Sequence, residues 1–209
     1  MYSTCIIVPI CYKLLGMERT FIIIKPDALQ RSLAGEIISR FEKVGLKIVA
    51  AKMIVASQDL ADKHYPVDRK EFIEGMGQKT LDNYQEQGID PVKELGTDDP
   101  HKIGLVIQKW LVDFIMSGPV LAMVLEGPHA IELARKMCGI TLPLKAQPGT
   151  IRGDYSFDSS ALANVGKRSL RNLVHASGNI QEARFEIGLW FSDSEIHEYD
   201  TVHQQNMIN

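Results

Sequence analysis

The stretch RTFIIIK, Arg19 to Lys25, determines how the rest of the chain is interpreted. It is a run of β-branched and aromatic residues that stops at Pro26 and Asp27, which predicts a buried strand. Shortly after it, the apolar residues of GEIISRFEK, residues 35–43, recur at helical spacing and predict a helix. The regular part of the chain therefore begins with a strand followed by a helix.

Strands and helices continue to alternate along the sequence. Further strands are predicted at Leu46 to Val55, Val120 to Gly127 and Asn172 to Ser177. Further helices are predicted after an N-cap at Ser57 and through His64, and at Lys109 to Met116, Ala130 to Gly139 and Ile180 to Phe191. This alternation indicates a layered α/β domain, but it leaves open both a doubly wound parallel sheet and a split β-α-β, ferredoxin-like sheet.

Composition limits the classes of partner. The 209 residues are 45% hydrophobic and carry a net charge of −3, which suits one domain with a sizeable core. Such a weak acidic balance gives no electrostatic reason to expect nucleic acid or an anionic membrane as the main partner. Three scattered cysteines without metal-ligand spacing suit a reducing compartment such as the cytoplasm. Any phosphate site must therefore come from a local group of lysines and arginines.

The first sixteen residues, MYSTCIIVPICYKLLG, are apolar and contain one charged residue, Lys13. They lack a basic region ahead of the apolar part, so they match a signal peptide poorly, and they are shorter than the roughly 20 residues of a membrane helix. A second methionine, Met17, stands directly before the first strand. We expect residues 1–16 to be a loosely ordered extension or a misassigned start; the alternative is a targeting or docking tail.

The sequence contains no complete P-loop. GKRS at residues 166–169 resembles the end of one, but Ala161 replaces the first glycine and no apolar strand precedes it. The informative segment is RNLVHASGN, residues 171–179, in which His175 lies in a short apolar run. Taken alone, this pattern favours a core or edge histidine whose ring nitrogens are hydrogen-bonded.

Basic residues near the ends of predicted elements favour a phosphate site around His175. Lys25 ends the first strand, Arg135 lies on a later helix, and Arg152 lies in a loop rich in proline and glycine. Functional sites gather at such element ends in layered α/β domains. The sequence pattern leaves open whether these groups converge in space.

Six short segments resemble, in the same order, the signature segments of nucleoside diphosphate kinases. They are KPDA at 25–28, HY at 64–65, SGPV at 117–120, RKMCGIT at 135–141, PGTIRGD at 148–154 and NLVHAS at 172–177. Together they extend over nearly the whole chain from Met17 to about Phe191, which makes the resemblance specific. It implies a ferredoxin-like α/β sandwich with a four-stranded antiparallel sheet and flanking helices. It also implies a homo-oligomer, commonly a tetramer or hexamer.

The resemblance further implies an activity and its catalytic residues. Such kinases transfer the γ-phosphate of ATP and other nucleoside triphosphates to nucleoside diphosphates, by a ping-pong mechanism through a phosphohistidine. His175 matches the histidine that is phosphorylated, and Ser177 and Glu186 match a supporting pair beside it. Lys25 and Tyr65 match groups close to the transferred phosphate, and Mg²⁺ is expected to be carried with the nucleotide.

A second set of positions matches nucleotide contacts of the family. Asn172 and Lys25 match contacts to the ribose hydroxyls, and Phe72, with Ile73 as the alternative, matches the aromatic residue that stacks on the base. Stacking accepts any base, since every base has a π-face. The positions that match phosphate contacts are Lys25, Arg135, Thr141 and Arg152.

The chain departs from the family's pattern in three places. Residues 77–107 are extra and are expected to form a helical insertion, and Ser159 to Leu170 is longer than usual. Gly178 stands where many members carry an aspartate, so no protein-derived magnesium ligand is expected there. The alternative function is an inactive nucleotide-binding or regulatory module of the same fold, which would form no phosphohistidine. We divide the chain into an extension 1–16, a kinase domain 17–195 and a tail 196–209.

Overall fold

A computed structural model describes residues 16–207 of the chain. Of the expected extension, residues 1–16, only Gly16 falls within this range, so that expectation lies outside the described residues. Among the residues that are described, no helix is long and apolar enough to cross a membrane.

Four strands form one sheet within this range. They are β1 Met17–Ile24, β2 Lys47–Ile54, β3 Val120–Pro128 and β4 Val174–Ala176, in the order β2-β3-β1-β4. Every pairing is antiparallel, which confirms the ferredoxin-like alternative and excludes the doubly wound parallel sheet. The short strand β4 pairs with the end of β1, where His175 lies opposite Ile23. The predicted nucleophile therefore lies two positions away from Lys25 across the sheet.

The strand β1 is apolar on both faces because helices cover both sides of the sheet. Side chains alternate along a strand, so Phe21 and Ile23 pack into one hydrophobic cluster and Ile22 and Ile24 pack into the other. All four side chains are fully buried. This double burial explains why RTFIIIK is a continuous apolar run instead of an alternating one.

The helices predicted in the first part of the chain are present, with small shifts at their ends. The structure has α1 Pro26–Gln30, α2 Ala34–Lys43 and α3 Gln58–His64. The Ser57 side chain caps α3 by accepting a hydrogen bond from the backbone N–H of Leu60, as predicted. The sequence pattern did not reveal α1, because five residues are too few to show helical periodicity.

The region after His64 forms a helical hairpin, which corrects the predicted start of one helix. It consists of α4 Lys70–Gln87, α5 Pro91–Leu95 and α6 Pro100–Met116. The helix predicted to start at Lys109 was therefore placed too late, because Asp99 caps it and Pro100 occupies its first turn. The extra residues 77–107 form the second half of α4, all of α5 and the first half of α6, so the insertion is helical, as expected.

Five more helices complete the described chain: α7 Ala130–Cys138, α8 Ile151–Tyr155, α9 Ser160–Val165, α10 Ile180–Trp190 and α11 Val202–Met207. The loop rich in proline and glycine around Arg152 contains α8 and a 3₁₀ turn, Pro143–Lys145. The lengthened segment contains α9. The predicted tail lies along β2, where the N–H of His197 donates to the carbonyl of Val49 at 2.8 Å.

The hairpin helices α4 and α6 touch through their backbones at two glycines. A Cβ atom at Gly77 would lie 1.8 Å from the carbonyl oxygen of Pro100, and one at Gly104 would lie 2.0 Å from that of Ile73. No other residue type fits at these two positions without moving the helices apart. The hairpin is therefore packed as a rigid pair, which fixes the start of α4 relative to α6.

The variant Gly104→Ala is expected to lower the free energy of unfolding by about 1–3 kcal/mol, the usual cost of overpacking a tight contact. Urea unfolding measures this change. The matched control is Gly75→Ala on α4, where an added Cβ would meet nothing within 4 Å and should stabilise the helix by up to about 1 kcal/mol. Equal stability of the two variants would contradict the close contact.

Candidate active site

The backbone just before His175 has an uncommon conformation. Leu173 is fully buried and has a φ of 70°, in the left-handed region that is costly for residues other than glycine. Its N–H donates to Oδ2 of Asp27 at 3.1 Å, and its carbonyl accepts the N–H of Lys25 at 2.8 Å. These bonds tie the start of β4 to the turn that follows β1, and so bring Lys25 and His175 into one site.

The imidazole of His175 is oriented by Glu186 on α10. Its Nε2 lies 2.8 Å from Oε1 of Glu186, and the side chain remains 21% exposed. A carboxylate can only accept, so Nε2 carries the hydrogen and Nδ1 keeps its lone pair. The hydroxyl of Ser177 donates to the other oxygen of Glu186 at 2.6 Å and itself accepts the N–H of Phe21 at 3.2 Å. This relay leaves the lone pair of Nδ1 of His175 free.

Lys25 is a buried cation connected to two other predicted site residues. Its Nζ donates to Oδ1 of Asn172 at 2.8 Å, and the amide of Asn172 donates to the carbonyl of Thr141 at 3.0 Å. Burial, and next the charge of Arg152, lower the pKa of Lys25 to about 8. The ammonium group is therefore short of counter-charge, which favours binding of an anion.

Arg152, at the start of α8, is fixed by backbone carbonyls. It donates to the carbonyls of Asn172 at 3.2 Å, Gly139 at 2.6 Å and Val174 at 2.7 Å, which leaves part of its five donors for a ligand. Burial lowers the pKa of Arg152, and the nearby charge of Arg135 lowers it further. The predicted cations therefore lie close enough to repel one another, as groups do that share a phosphate site.

Tyr65 is brought against the same site by α3. Burial, and then the carboxylate of Glu186, raise the pKa of Tyr65, so its hydroxyl stays protonated at neutral pH. Its carbonyl accepts a hydrogen bond from the buried Gln108 of α6 at 2.8 Å. No motif singled out Gln108; it links the helical hairpin to a predicted site residue.

The two candidates for base stacking differ in exposure. Ile73 is fully buried between α4 and α6, whereas Phe72 is 38% exposed, so only Phe72 offers a face to a ligand. The Phe72 ring lies beneath the guanidinium of Arg69, 5.5 Å from its centroid, and Arg69 approaches Glu182 of α10 at 3.6 Å. These contacts place Phe72 on the side of the site where α10 begins.

The lengthened segment, Ser159 to Leu170, is closed at its base by a buried carboxylate. Asp158 accepts two hydrogen bonds from Arg168, at 2.6 and 2.9 Å, and one from the backbone N–H of Arg171 at 2.7 Å. Hydrogen bonds from Arg168 and Arg171 hold the pKa of Asp158 below its usual range, against the effect of burial.

One group of side chains among residues 16–207 has the composition of a metal site. Ligand atoms of His64, His175 and Glu186 lie within 4.8 Å of one another. Glu186 already accepts from both His175 and Ser177, so we describe the group as a hydrogen-bonded relay.

The fold and the site together define a class of protein: an α/β sandwich in which a histidine hydrogen-bonded to a glutamate lies close to buried cations. The comparisons with known proteins agree with this class. The family model for nucleoside diphosphate kinase matches residues 18–79 and 104–196. A nucleoside diphosphate kinase of Pyrobaculum aerophilum is 52% identical over 182 residues, which cover 87% of this chain and 99% of the relative.

Solved structures show the same likeness. The crystal structure of an NDP kinase from Pyrobaculum aerophilum matches with a TM-score of 0.85 and 50% identity, over 88% of this chain and 100% of that one. A transition state mimic of the nucleoside-diphosphate kinase from Borrelia burgdorferi, with bound vanadate and ADP, matches with a TM-score of 0.71 and 38% identity, over 90% and 95%. The chain belongs to the nucleoside diphosphate kinase family, and its activity is phosphoryl transfer between nucleotides.

The variant Glu186→Gln is expected to slow phosphorylation of the protein by ATP about 10²-fold, the effect of misplacing a reacting group slightly. The amide cannot accept from both His175 and Ser177, so the ring loses its orientation. Rapid-quench measurement with labelled ATP gives the rate. Glu182→Gln, on the same helix, is the control. It should react at nearly the parent rate, because Glu182 accepts a hydrogen bond from the N–H of Gly178 and none from His175. Equal rates for the two variants would contradict the role of Glu186.

Proposed function

We propose that Nδ1 of His175 carries the phosphoryl group between the two nucleotides. The observation that supports this most directly is the hydrogen bond from Nε2 to Glu186, since it leaves the lone pair on Nδ1. Nδ1 attacks the γ-phosphorus of a nucleoside triphosphate, the bond to the β–γ bridging oxygen breaks, and the diphosphate leaves. A terminal oxygen of a second diphosphate then attacks the phosphorus, and the electron pair of the N–P bond returns to Nδ1.

The remaining predicted residues bind the nucleotide phosphates in this proposal. Lys25, Arg135 and Arg152 stabilise the charge that develops on the transferred oxygens. The hydroxyl groups of Thr141 and Tyr65 add hydrogen-bond donors. Mg²⁺ carried with the nucleotide would supply further neutralisation of the phosphate charge. Ser177 and Glu186 hold the histidine.

Recognition of the ribose and the base is assigned to a second group of residues. Asn172 and Lys25 bind the ribose hydroxyls, and the exposed ring of Phe72 stacks on the base without selecting among bases. The vanadate and ADP bound to the kinase of Borrelia burgdorferi support nucleoside diphosphates as ligands of this chain, with ATP and other triphosphates as donors.

The organisation of the molecule forms part of the proposal. Met53 and Val55, at the β2 edge of the described sheet, are 62% and 63% exposed. Exposed apolar side chains at a sheet edge are typical of an interface, which supports a homo-oligomer; the choice of a tetramer or a hexamer rests on the family resemblance. Within the chain, residues 17–195 form the kinase domain, which includes the insertion 77–107, and residues 196–209 form a tail. We place the protein in the cytoplasm.

The decisive experiment is labelling with γ-labelled ATP and Mg²⁺. The parent protein is expected to form a phosphoprotein that is labile to acid and stable to base, and His175→Ala should form none, because the nucleophile is gone. His197→Ala is the control, since that side chain is exposed on the tail. An acid-labile phosphoprotein in His175→Ala would contradict the assignment, and none in the parent would favour an inactive module.

The buried position of Lys25 predicts a pH effect on binding. Its pKa of about 8 means that the free enzyme loses this positive charge as pH rises through that value, so kcat/KM should fall above it. Steady-state kinetics from about pH 7 to about pH 9.5 measure this fall, since kcat/KM reports groups of the free enzyme. Lys25→Arg, which stays charged, should show no such decline over the same range. Parallel profiles for the two proteins would show that another group titrates.

A further inference from the structure

His64 is a buried polar side chain that the proposed mechanism does not use. Its side chain has no exposed surface, and among the described residues neither of its ring nitrogens has a hydrogen-bond partner. Buried polar groups are normally hydrogen-bonded, since an unsatisfied one costs free energy. An apolar ring of similar size would pack here without that cost, so this imidazole calls for a functional explanation.

The ring lies directly against the catalytic relay. Its Nδ1 is 3.8 Å from Oε1 of Glu186, the oxygen that accepts from His175. The two imidazoles meet edge to face, with 4.8 Å between their centroids. The rest of the pocket is formed by the aromatic rings of Phe21, Tyr65 and Trp190.

The surroundings determine which nitrogen of His64 carries hydrogen. Burial, and then the neighbouring His175 and Lys25, hold the pKa of His64 well below its usual range, so the ring is neutral and has one N–H. The ionisable groups around it are His175 on β4, Lys25 after β1, Tyr65 after α3 and Glu186 on α10. The carboxylate of Glu186 faces Nδ1 and can only accept, so the hydrogen lies on Nδ1.

We infer that His64 is a positioning residue whose Nδ1–H holds the carboxylate of Glu186 in line with Nε2 of His175. After accepting from His175, Oε1 keeps a second lone pair for this donor. The 3.8 Å separation reaches normal hydrogen-bond length with a shift of about 1 Å. His64 thus prevents Glu186 from turning away while Nδ1 of His175 bonds to phosphorus. The inference rests on the proposed role of His175 as nucleophile.

Three variants separate positioning from packing. His64→Phe fills the pocket but removes the donor, and it should slow phosphorylation of His175 about tenfold or more, since small misplacements at a reacting centre have large effects. KM for the nucleotide should stay within about twofold, because no nucleotide contact is lost. His64→Asn places an amide N–H near the position of Nδ1 and should restore most of the rate. Trp190→Phe, in the same aromatic pocket, is the control and should lower thermal stability without slowing phosphorylation.

Two outcomes of this series would overturn the inference: equal rates in His64→Phe and Trp190→Phe, or equal losses in His64→Asn and His64→Phe. A measurement on the parent protein covers the case in which His64→Phe does not fold. Long-range ¹H–¹⁵N spectra should show a neutral His64 with hydrogen on Nδ1, and hydrogen on Nε2 would contradict the inference. The spectra are independent of catalysis, so an Nδ1–H tautomer without any acid-labile phosphoprotein would count against the proposed function alone.

Discussion

The two hydrogen bonds accepted by the carboxylate of Glu186 are the constraint on which the active site depends. One oxygen fixes the ring of His175 through Nε2, and the other is bound by Ser177, whose hydroxyl oxygen accepts a backbone N–H of β1. The orientation of the nucleophile is thereby set by the sheet and by α10 together. Because a carboxylate has no proton to offer, this arrangement leaves one nitrogen of His175 available for bonding to phosphorus.

The cations, like the histidine, are oriented by hydrogen bonds that leave them able to interact with a ligand. Lys25 and Arg152 are held by uncharged oxygens of the protein, an amide and three backbone carbonyls, so their charges are oriented without being neutralised. Buried cations without a paired carboxylate destabilise a folded protein. In the proposed function a nucleotide phosphate supplies the missing negative charge.

The sequence predicted those parts of the molecule whose structure depends on residues close to one another in the chain. The apolar run of β1 and the periodicity of α2 and α10 are local signals. The antiparallel sheet was expected only from the family resemblance, which rests on the order of the six short segments. The start of α6 was missed although Asp99 and Pro100 are a normal helix start, because the glycine, proline and aspartate residues between Pro66 and Lys109 were interpreted as helix breakers. Gln108 lies in none of the six segments, and His64 lies in one of them, HY, but neither residue could be given a role from the sequence, because their partners, Tyr65 for Gln108 and Glu186 for His64, can be identified only in the folded structure.

The central claim, that Glu186 leaves Nδ1 of His175 as the nucleophile, is tested most directly by locating the phosphoryl group on the ring. The protein can be labelled with ¹⁵N-histidine, phosphorylated with ATP and Mg²⁺, and examined under alkaline conditions for coupling between phosphorus and each ring nitrogen. The account predicts that phosphorus is bonded to Nδ1 and that Nε2 keeps its hydrogen. Phosphorus bonded to Nε2 would contradict it, because that nitrogen is the one that Glu186 occupies in this structure.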